Sequence, residues 1–321
     1  MNITPVEDKV FGATVTDVAL GNLSDTEFAD IKAAFLDYGF LFFPEQFLSD
    51  EENVAFGERF GELEFGGNPM SNQEKLGDRR FGKIFDIDTQ RMRSNVGNEA
   101  WHTDSTYKPI SSKCGMLSAV AVPSTGGETS LGDLRAGYAA LDEATRDRIE
   151  GLSAYHSTQY SQANDVGDFP SQNPNGIYHG EAYLRPLVKV HPETGVKNLF
   201  VGRHAFGIPG LERSESKRLI KSLVEFVVSD PSRVYTHRWR PGDTLFWDNR
   251  AILHRAHSYD YAEPRVLIGT RVAGEPESEL AYYPSDSEAE SGRQALKAEL
   301  DLLRRETADR RYGGTTATRV A

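Results

Sequence analysis

The spacing of apolar residues changes along the chain, and each change predicts an element. After Ser24, the residues Phe28, Ile31, Phe35 and Leu36 recur at helical spacing toward Tyr38, which places them on one stripe of an α-helix. Ser24 with Glu27 predicts a capping box at its start, and Gly39 its end. The run Phe40-Leu41-Phe42-Phe43 is continuously apolar and closed by Pro44, as expected of a short buried strand entering a turn. Ser49 with Glu52 predicts a second capping box and a helix through about Phe60.

Residues 83–131 read as strand-like, with the run 118–123 ended by Pro123 and a Ser-Thr-Gly-Gly turn, and residues 134–149 read as a helix. Residues 157–180 are rich in Gln, Asn, Ser, Gly and Pro without a sustained period, which predicts a long loop or lid. Strand-like runs return at 184–190, 196–202, 244–248 and 265–272, each set off by Pro or Gly. There is no internal repeat. Many short strands with helices concentrated early predict a mainly β domain with flanking helices, of double-stranded β-helix (jelly-roll) form, over residues 1–280. Residues 281–321 read as a C-terminal helical tail in which Ala295 or Leu296, Leu300 and Leu303 share one face. That face either docks on the domain or a partner subunit, or stays solvated and frays.

Composition narrows the function. At 321 residues, with 38% hydrophobic and 26% charged positions, one large catalytic domain is expected. No apolar run approaches the roughly 20 residues needed to cross a bilayer. The start, MNITPVEDKVFGATV, lacks the basic and apolar stretches of a secretory signal, so a cytoplasmic protein is expected. A formal charge of -12 and a pI near 5.2 disfavour nucleic acid and anionic lipid as partners, since both are held by clustered Lys and Arg. The single cysteine, Cys114, permits no internal disulfide and no thiolate-built zinc or iron-sulfur site. Any metal must be held by nitrogen and oxygen.

Candidate chemistry centres on Trp101-His102-Thr103-Asp104. On an extended strand, positions i and i+2 point to one side, so His102 and Asp104 can share an ion. A third ligand would complete a two-histidine, one-carboxylate facial triad with three open positions, the arrangement of non-haem iron(II) oxygenases. His-x-Asp alone does not identify a metal site. Among the eight histidines, His254 in PGDTLFWDNRAILHRAHSYDYAEPR is the best distal candidate, and His257 competes with it.

Several motifs occur in a fixed order: GFLFFP, WHTDSTY, PSTGGETSLGD, LRPLVKVHPETG, VGRHAFGIPG, and WDNRAILHRA followed by PRV. With these motifs the chain resembles, over roughly residues 8–275, the family of taurine dioxygenase and 2,4-dichlorophenoxyacetate dioxygenase (TauD/TfdA), most closely its aryloxyalkanoate dioxygenase branch. The resemblance implies iron(II), 2-oxoglutarate and O2, and it selects His254 in NRxxxHxA over His257. It also implies that Arg265, eleven positions after His254, anchors the far carboxylate of 2-oxoglutarate, helped by Thr129. A guanidinium fork suits that task.

The implied reaction is hydroxylation of a C–H bond of a small organic acid, with release of succinate and CO2. An aryloxyalkanoate-type ether is a candidate substrate and natural-product tailoring an alternative. Where the family places a second arginine for the substrate anion, this chain has Gly269. Arg271, at an even offset from Arg265, is the candidate replacement, alongside Ser105, Tyr107 and His204 as pocket residues. Arg271 reads equally well as a salt bridge at the strand end and His204 as a satisfied core histidine, while for Tyr107 a packing role is the more ordinary reading. A metal-free binding protein and a zinc hydrolase are the rival classes, and Arg265 in register with His254 argues against both. The resemblance also implies a homo-oligomer.

Overall fold

The computed structural model describes residues 1–77, 79–282 and 286–313. Both early helices, Asp25–Tyr38 and Asp50–Glu58, open on complete capping boxes, and Gly39 closes the first in the left-handed region with φ 78°. Ile31 and Phe35 of the first, Phe56 of the second and Phe60 just beyond it cover one face of a seven-stranded sheet, packing on Leu41, Phe43, Met116 and Phe246. The sheet runs in the order Asn2–Pro5, Ala13–Thr16, Phe40–Phe43, Thr244–Asp248, Ser112–Ala121, Val266–Ala273, Leu63–Ser71. Its neighbours are antiparallel except for Ala13–Thr16 beside Phe40–Phe43.

The other face of this sheet presents Phe40, Leu245, Trp247 and Leu267, which meet Leu131, Trp239 and Ile252. Leu131 and Ile252 belong to a facing three-stranded sheet ordered Val234–His237, Thr129–Asp133, Ile252–Ala256. Residues 40–43 are apolar without a break because alternate side chains enter two different cores. Outside the second layer, the helix Arg213–Val228 packs Leu219, Ile220, Leu223 and Val227 against Leu134, Leu199 and Leu253. The result is a jelly-roll core with helices on its flanks.

Four expectations change. Helices are not concentrated early, because Arg213–Val228 and Asp286–Gly313 lie in the second half. The predicted 134–149 helix is two, Leu134–Ala140 and Glu143–Ile149, since the Asp142 side chain accepts from the Thr145 N–H and starts a new one. The stretch read as strand contains the helix Gln90–Gly97, in which only Met92 and Gly97 are buried, so it carries no apolar period. The stretch read as loop contains a helical turn, Thr158–Ser161, and a π-helical turn, Gln162–Val166. Four of its buried residues, Thr158, Gln159, Ser161 and Gln162, are polar and only Tyr160 and Ala163 are apolar, too few for a hydrophobic period to register.

The C-terminal helix docks on the body. Leu296, Leu300 and Leu303 are buried against Tyr160, Ala163 and Phe206, and Arg213 makes a two-pronged contact with Glu299 (2.7 and 2.8 Å) and reaches Glu306 at 2.8 Å. Among the described residues no helix is long and apolar enough to cross a membrane. Leu300→Ala is expected to lower the unfolding free energy by about 2 kcal/mol or more, read by urea denaturation. A change near zero would mean that the helix does not dock.

Candidate metal centre and active site

Two backbone bonds create the centre. The His102 N–H donates to the His254 carbonyl and the His254 N–H to the His102 carbonyl, both at 2.8 Å, an isolated antiparallel bridge. Residues paired in this way carry their side chains on one face, and the imidazole centroids lie 4.2 Å apart. Gly202 seats against this bridge: a Cβ there would lie 3.1 Å from the His102 Cα. His102 Nδ1 faces the Ala100 carbonyl at 2.7 Å. A carbonyl only accepts, so Nδ1 carries the proton and Nε2 is left as a lone-pair donor.

Asp104 does not continue a strand, because the chain turns after His102. It joins the histidines by another route. Asn249 Oδ1 accepts from the Asp104 N–H at 2.6 Å, and Asn249 Nδ2 donates to the carbonyls of Asp104 (2.9 Å) and Ser112 (3.0 Å). Asn249 sits in the turn between Thr244–Asp248 and Ile252–Ala256, so the segment that delivers His254 also pins Asp104. That turn is fixed by Arg250, which is 1% exposed and binds both oxygens of Asp248 at 2.9 and 2.8 Å, while His191 holds Asp248 at 2.9 Å. Burial opposes the Asp248 charge, but Arg250 outweighs it and holds the carboxyl well below the usual range.

One donor atom each from His102, Asp104 and His254 lies within 4.8 Å of the others, with all three residues buried, and Asp104 Oδ2 is 3.5 Å from His254 Nε2. Burial lowers the pKa of both histidines, which favours the neutral ligating form. Burial works against the Asp104 charge, but Arg271 and the histidines prevail and hold the carboxyl below its ordinary range. Two neutral imidazoles and an ionised carboxylate suit a divalent iron. His257 lies elsewhere, with Nε2 2.6 Å from the Ser130 hydroxyl, so it is His254 that the fold brings together with His102 and Asp104.

The triad opens on a cavity of about 740 Å³ whose lining includes Thr129, Arg265, Tyr107 and His204. Arg265 donates from Nε to the Gly127 carbonyl at 3.0 Å, and its guanidinium lies 5.7 Å from the Tyr259 ring centroid. No carboxylate stands within ion-pair distance of it among the described residues. Gly127, at φ 71°, permits the contact, since a Cβ there would come within 3.1 Å of Arg265 Nε. Thr129 Oγ1 accepts the Trp239 indole N–H at 3.0 Å, which leaves the hydroxyl proton to donate. An unpaired guanidinium and a free hydroxyl proton in the same cavity fit a dianionic co-substrate.

The remaining pocket candidates separate. Tyr107 and His204 line the cavity edge to face, with centroids 4.9 Å apart, and His204 Nδ1 lies 2.8 Å from the Ser161 hydroxyl. Ser105 is not a pocket residue. Its φ of 56° turns it out of extended alternation, and its hydroxyl contacts both oxygens of Glu64 at 2.8 Å. Arg271 reaches the cavity, but its Nη2 is 2.5 Å from Asp104 Oδ1 and its Nη1 is 3.3 Å from Ser105 Oγ. It is therefore not a spare anchor for a substrate anion.

Sequence reasoning missed Asn249, Trp239, Glu64 and Arg203. Arg203 lines the cavity, with Nε 2.8 Å from Asp165 and Nη2 buried without a partner. Asn249 and Arg203 lay within motifs singled out beforehand, WDNRAILHRA and VGRHAFGIPG, but neither was given a role; Trp239 and Glu64 lay outside them. The 157–180 segment does form a wall of the cavity, bound to the Gln90–Gly97 helix by Ser94 to Tyr178 at 2.8 Å and Gln90 to Asp168 at 2.9 Å.

Comparison with known proteins agrees with this geometry. Residues 2–271 match the model of the taurine catabolism dioxygenase TauD, TfdA family. The (S)-phenoxypropionate/alpha-ketoglutarate-dioxygenase of Sphingobium herbicidovorans is 44% identical over 287 residues, 87% of this chain and 97% of that protein. The alpha-ketoglutarate-dependent 2,4-dichlorophenoxyacetate dioxygenase of Cupriavidus pinatubonensis is 35% identical over 80% of this chain and 93% of that protein. The crystal structure of AAD-2 in complex with Mn(II) and N-oxalylglycine superposes with a TM-score of 0.80 at 32% identity, covering 88% of this chain and all of that one. The matched span takes in the His102–Asp104 turn, His254 and Arg265, and the chain belongs to the TauD/TfdA dioxygenase family.

Proposed function

We propose that this chain is an iron(II)- and 2-oxoglutarate-dependent dioxygenase that hydroxylates the ether-bearing carbon of an aryloxyalkanoate-type acid. His102, Asp104 and His254 hold the iron. Arg265 and Thr129 hold the far carboxylate of 2-oxoglutarate. Bound together, iron and co-substrate supply the oxidising power: one atom of O2 enters succinate as CO2 leaves, and the other enters the C–H bond. A hydroxyl placed on a carbon that already carries an aryl ether collapses to a phenol and a carbonyl compound. The observation that carries this reading is the unpaired Arg265 guanidinium in the same cavity as the triad, which a hydrolytic zinc site would not require.

The protein's own part is positioning and exclusion of water. Asn249 keeps Asp104 in reach of both imidazoles, and the wall built from residues 157–180 closes the side bearing His204. Tyr107 and His204 offer aromatic edges to an aryl group, and Arg203, which lines the same cavity, has its buried Nη2 without a partner and available to the carboxylate. A cavity of about 740 Å³ is in the range used for ligands of this size. The named activity of the 44% identical relative on (S)-phenoxypropionate supports the substrate class. The proposal takes residues 1–280 as the catalytic unit and 281–321 as its helical tail, in a cytoplasmic homo-oligomer. Light scattering after size exclusion checks the last point, and a monomer contradicts it.

Under anaerobic conditions, iron(II) and 2-oxoglutarate should give a weak visible charge-transfer band that is lost in His102→Ala and His254→Ala and kept in His257→Ala. Loss of the band in His257→Ala with retention in His254→Ala would reverse the ligand assignment. Arg265→Ala is expected to raise the KM for 2-oxoglutarate about 10-fold or more, since a charge-assisted hydrogen bond contributes about 1.5–3 kcal/mol. An unchanged KM would remove its assigned role. Among organic acids, phenoxypropionates should drive succinate formation. If none of them does, the substrate class is wrong while the band still tests the chemistry.

A further inference from the structure

Asp104 has two carboxylate oxygens, and only one faces His254. The other, Oδ1, is held by Arg271 Nη2 at 2.5 Å. Arg271 is itself gripped on every side. Its Nη1 lies 3.7 Å from Glu64 Oε1 and 3.3 Å from Ser105 Oγ, its guanidinium sits 4.8 Å from the Phe65 ring centroid, and it donates to the Tyr107 hydroxyl. Glu64 in turn takes Lys108 Nζ at 2.5 Å and the Ser112 hydroxyl at 2.9 Å. The side chains of Arg271, Glu64 and Asp104 are 15%, 12% and 8% exposed. The strand pairing of Val266–Ala273 with Leu63–Ser71 is irregular on both sides of Arg271, so the sheet is deformed where this side chain leaves it.

We infer that Arg271, backed by Glu64, is a positioning residue that confines Asp104 to a single metal-facing oxygen. This inference rests on the metal reading above. A carboxylate with both oxygens free can chelate a cation and take two coordination positions. A facial triad keeps three positions open only while its carboxylate takes one. 2-Oxoglutarate needs two of the three and O2 the last, so a chelating Asp104 would close the position where O2 must bind. With Oδ1 engaged by a guanidinium that cannot lose its proton, that mode is blocked. The charges of Asp104 and Glu64 balance those of Arg271 and of the partly exposed Lys108, which lets the brace persist in a poorly hydrated place.

Metal affinity alone does not test the idea, because removing a nearby cation strengthens metal binding through charge even as it frees the ligand. The number of metal-bound waters does. In the Mn(II)-loaded full chain without co-substrate, water-proton relaxivity should fall by about one third in Arg271→Gln, as Asp104 displaces one of three waters. Glu64→Gln should fall in the same direction by less. The double variant Glu64→Gln/Arg271→Gln keeps the charges balanced and decides the matter if the single arginine variant fails to fold, again with about one third of the relaxivity lost. Full relaxivity in the folded arginine variants, with a raised KM for the organic acid, would overturn the brace and make Arg271 a substrate anchor. Full relaxivity in Glu64→Gln would overturn the part assigned to Glu64. Absence of Mn(II) binding by the unmodified chain would overturn the metal reading itself.

Discussion

The reciprocal pair of backbone hydrogen bonds between His102 and His254 is the constraint from which the centre follows. It joins two segments more than 150 residues apart in the chain at a single bridge, and it fixes the imidazoles before any ion is present. Around it the fold adds independent restraints: Gly202 behind the His102 backbone, the Ala100 carbonyl on Nδ1, and Asn249 on the backbone of Asp104. Preorganisation of this kind spares a metal site the entropy of collecting its ligands. It depends on the large sheet being covered on both faces, since the Thr244–Asp248 strand that leads into Asn249 is buried throughout.

Charge is distributed unevenly. The chain carries a formal net charge of -12, yet the cavity is lined by Arg91, Arg203, Arg255, Arg265 and Arg271, with Asp104 as its acidic member. A positive interior within a negative surface focuses its field along the cavity rather than over the molecule. Such a cavity retains small dianions while the exterior still repels polyanions. The arginines differ in commitment. Arg271 is committed within the protein, whereas Arg265 lines the same cavity with no anionic partner among the described residues.

Much of this was legible in the sequence, and the limits have physical causes. Both capping boxes and the apolar run of residues 40–43 were readable because backbone chemistry and hydrophobic period express them locally. His102, Asp104, Thr129 and Arg265 were readable through motif and register, and the structure brings them to one cavity. The expectation that His102 and Asp104 share a strand was wrong in its reason: a turn follows His102, and a distant asparagine does what strand geometry was expected to do. Ser105 was misplaced because a positive φ at a non-glycine residue leaves no mark in the sequence. Arg271 was read as available because its partner Glu64 lies over 200 residues away. The Arg213–Val228 helix did carry an apolar period, in Leu219, Ile220, Leu223 and Val227, and was passed over amid the motifs around it.

The C-terminal helix lies outside the matched family span, yet it is not remote from the chemistry. Leu296, Leu300 and Leu303 press on Tyr160 and Phe206. Tyr160 adjoins Ser161, whose hydroxyl orients His204, and Phe206 follows His204 by two residues. This helix thus serves as a buttress for one wall of the cavity. Loosening it would be transmitted through two stacked aromatic rings to the tilt of the His204 imidazole, so a change at the outside of the molecule would reach the lining of the cavity.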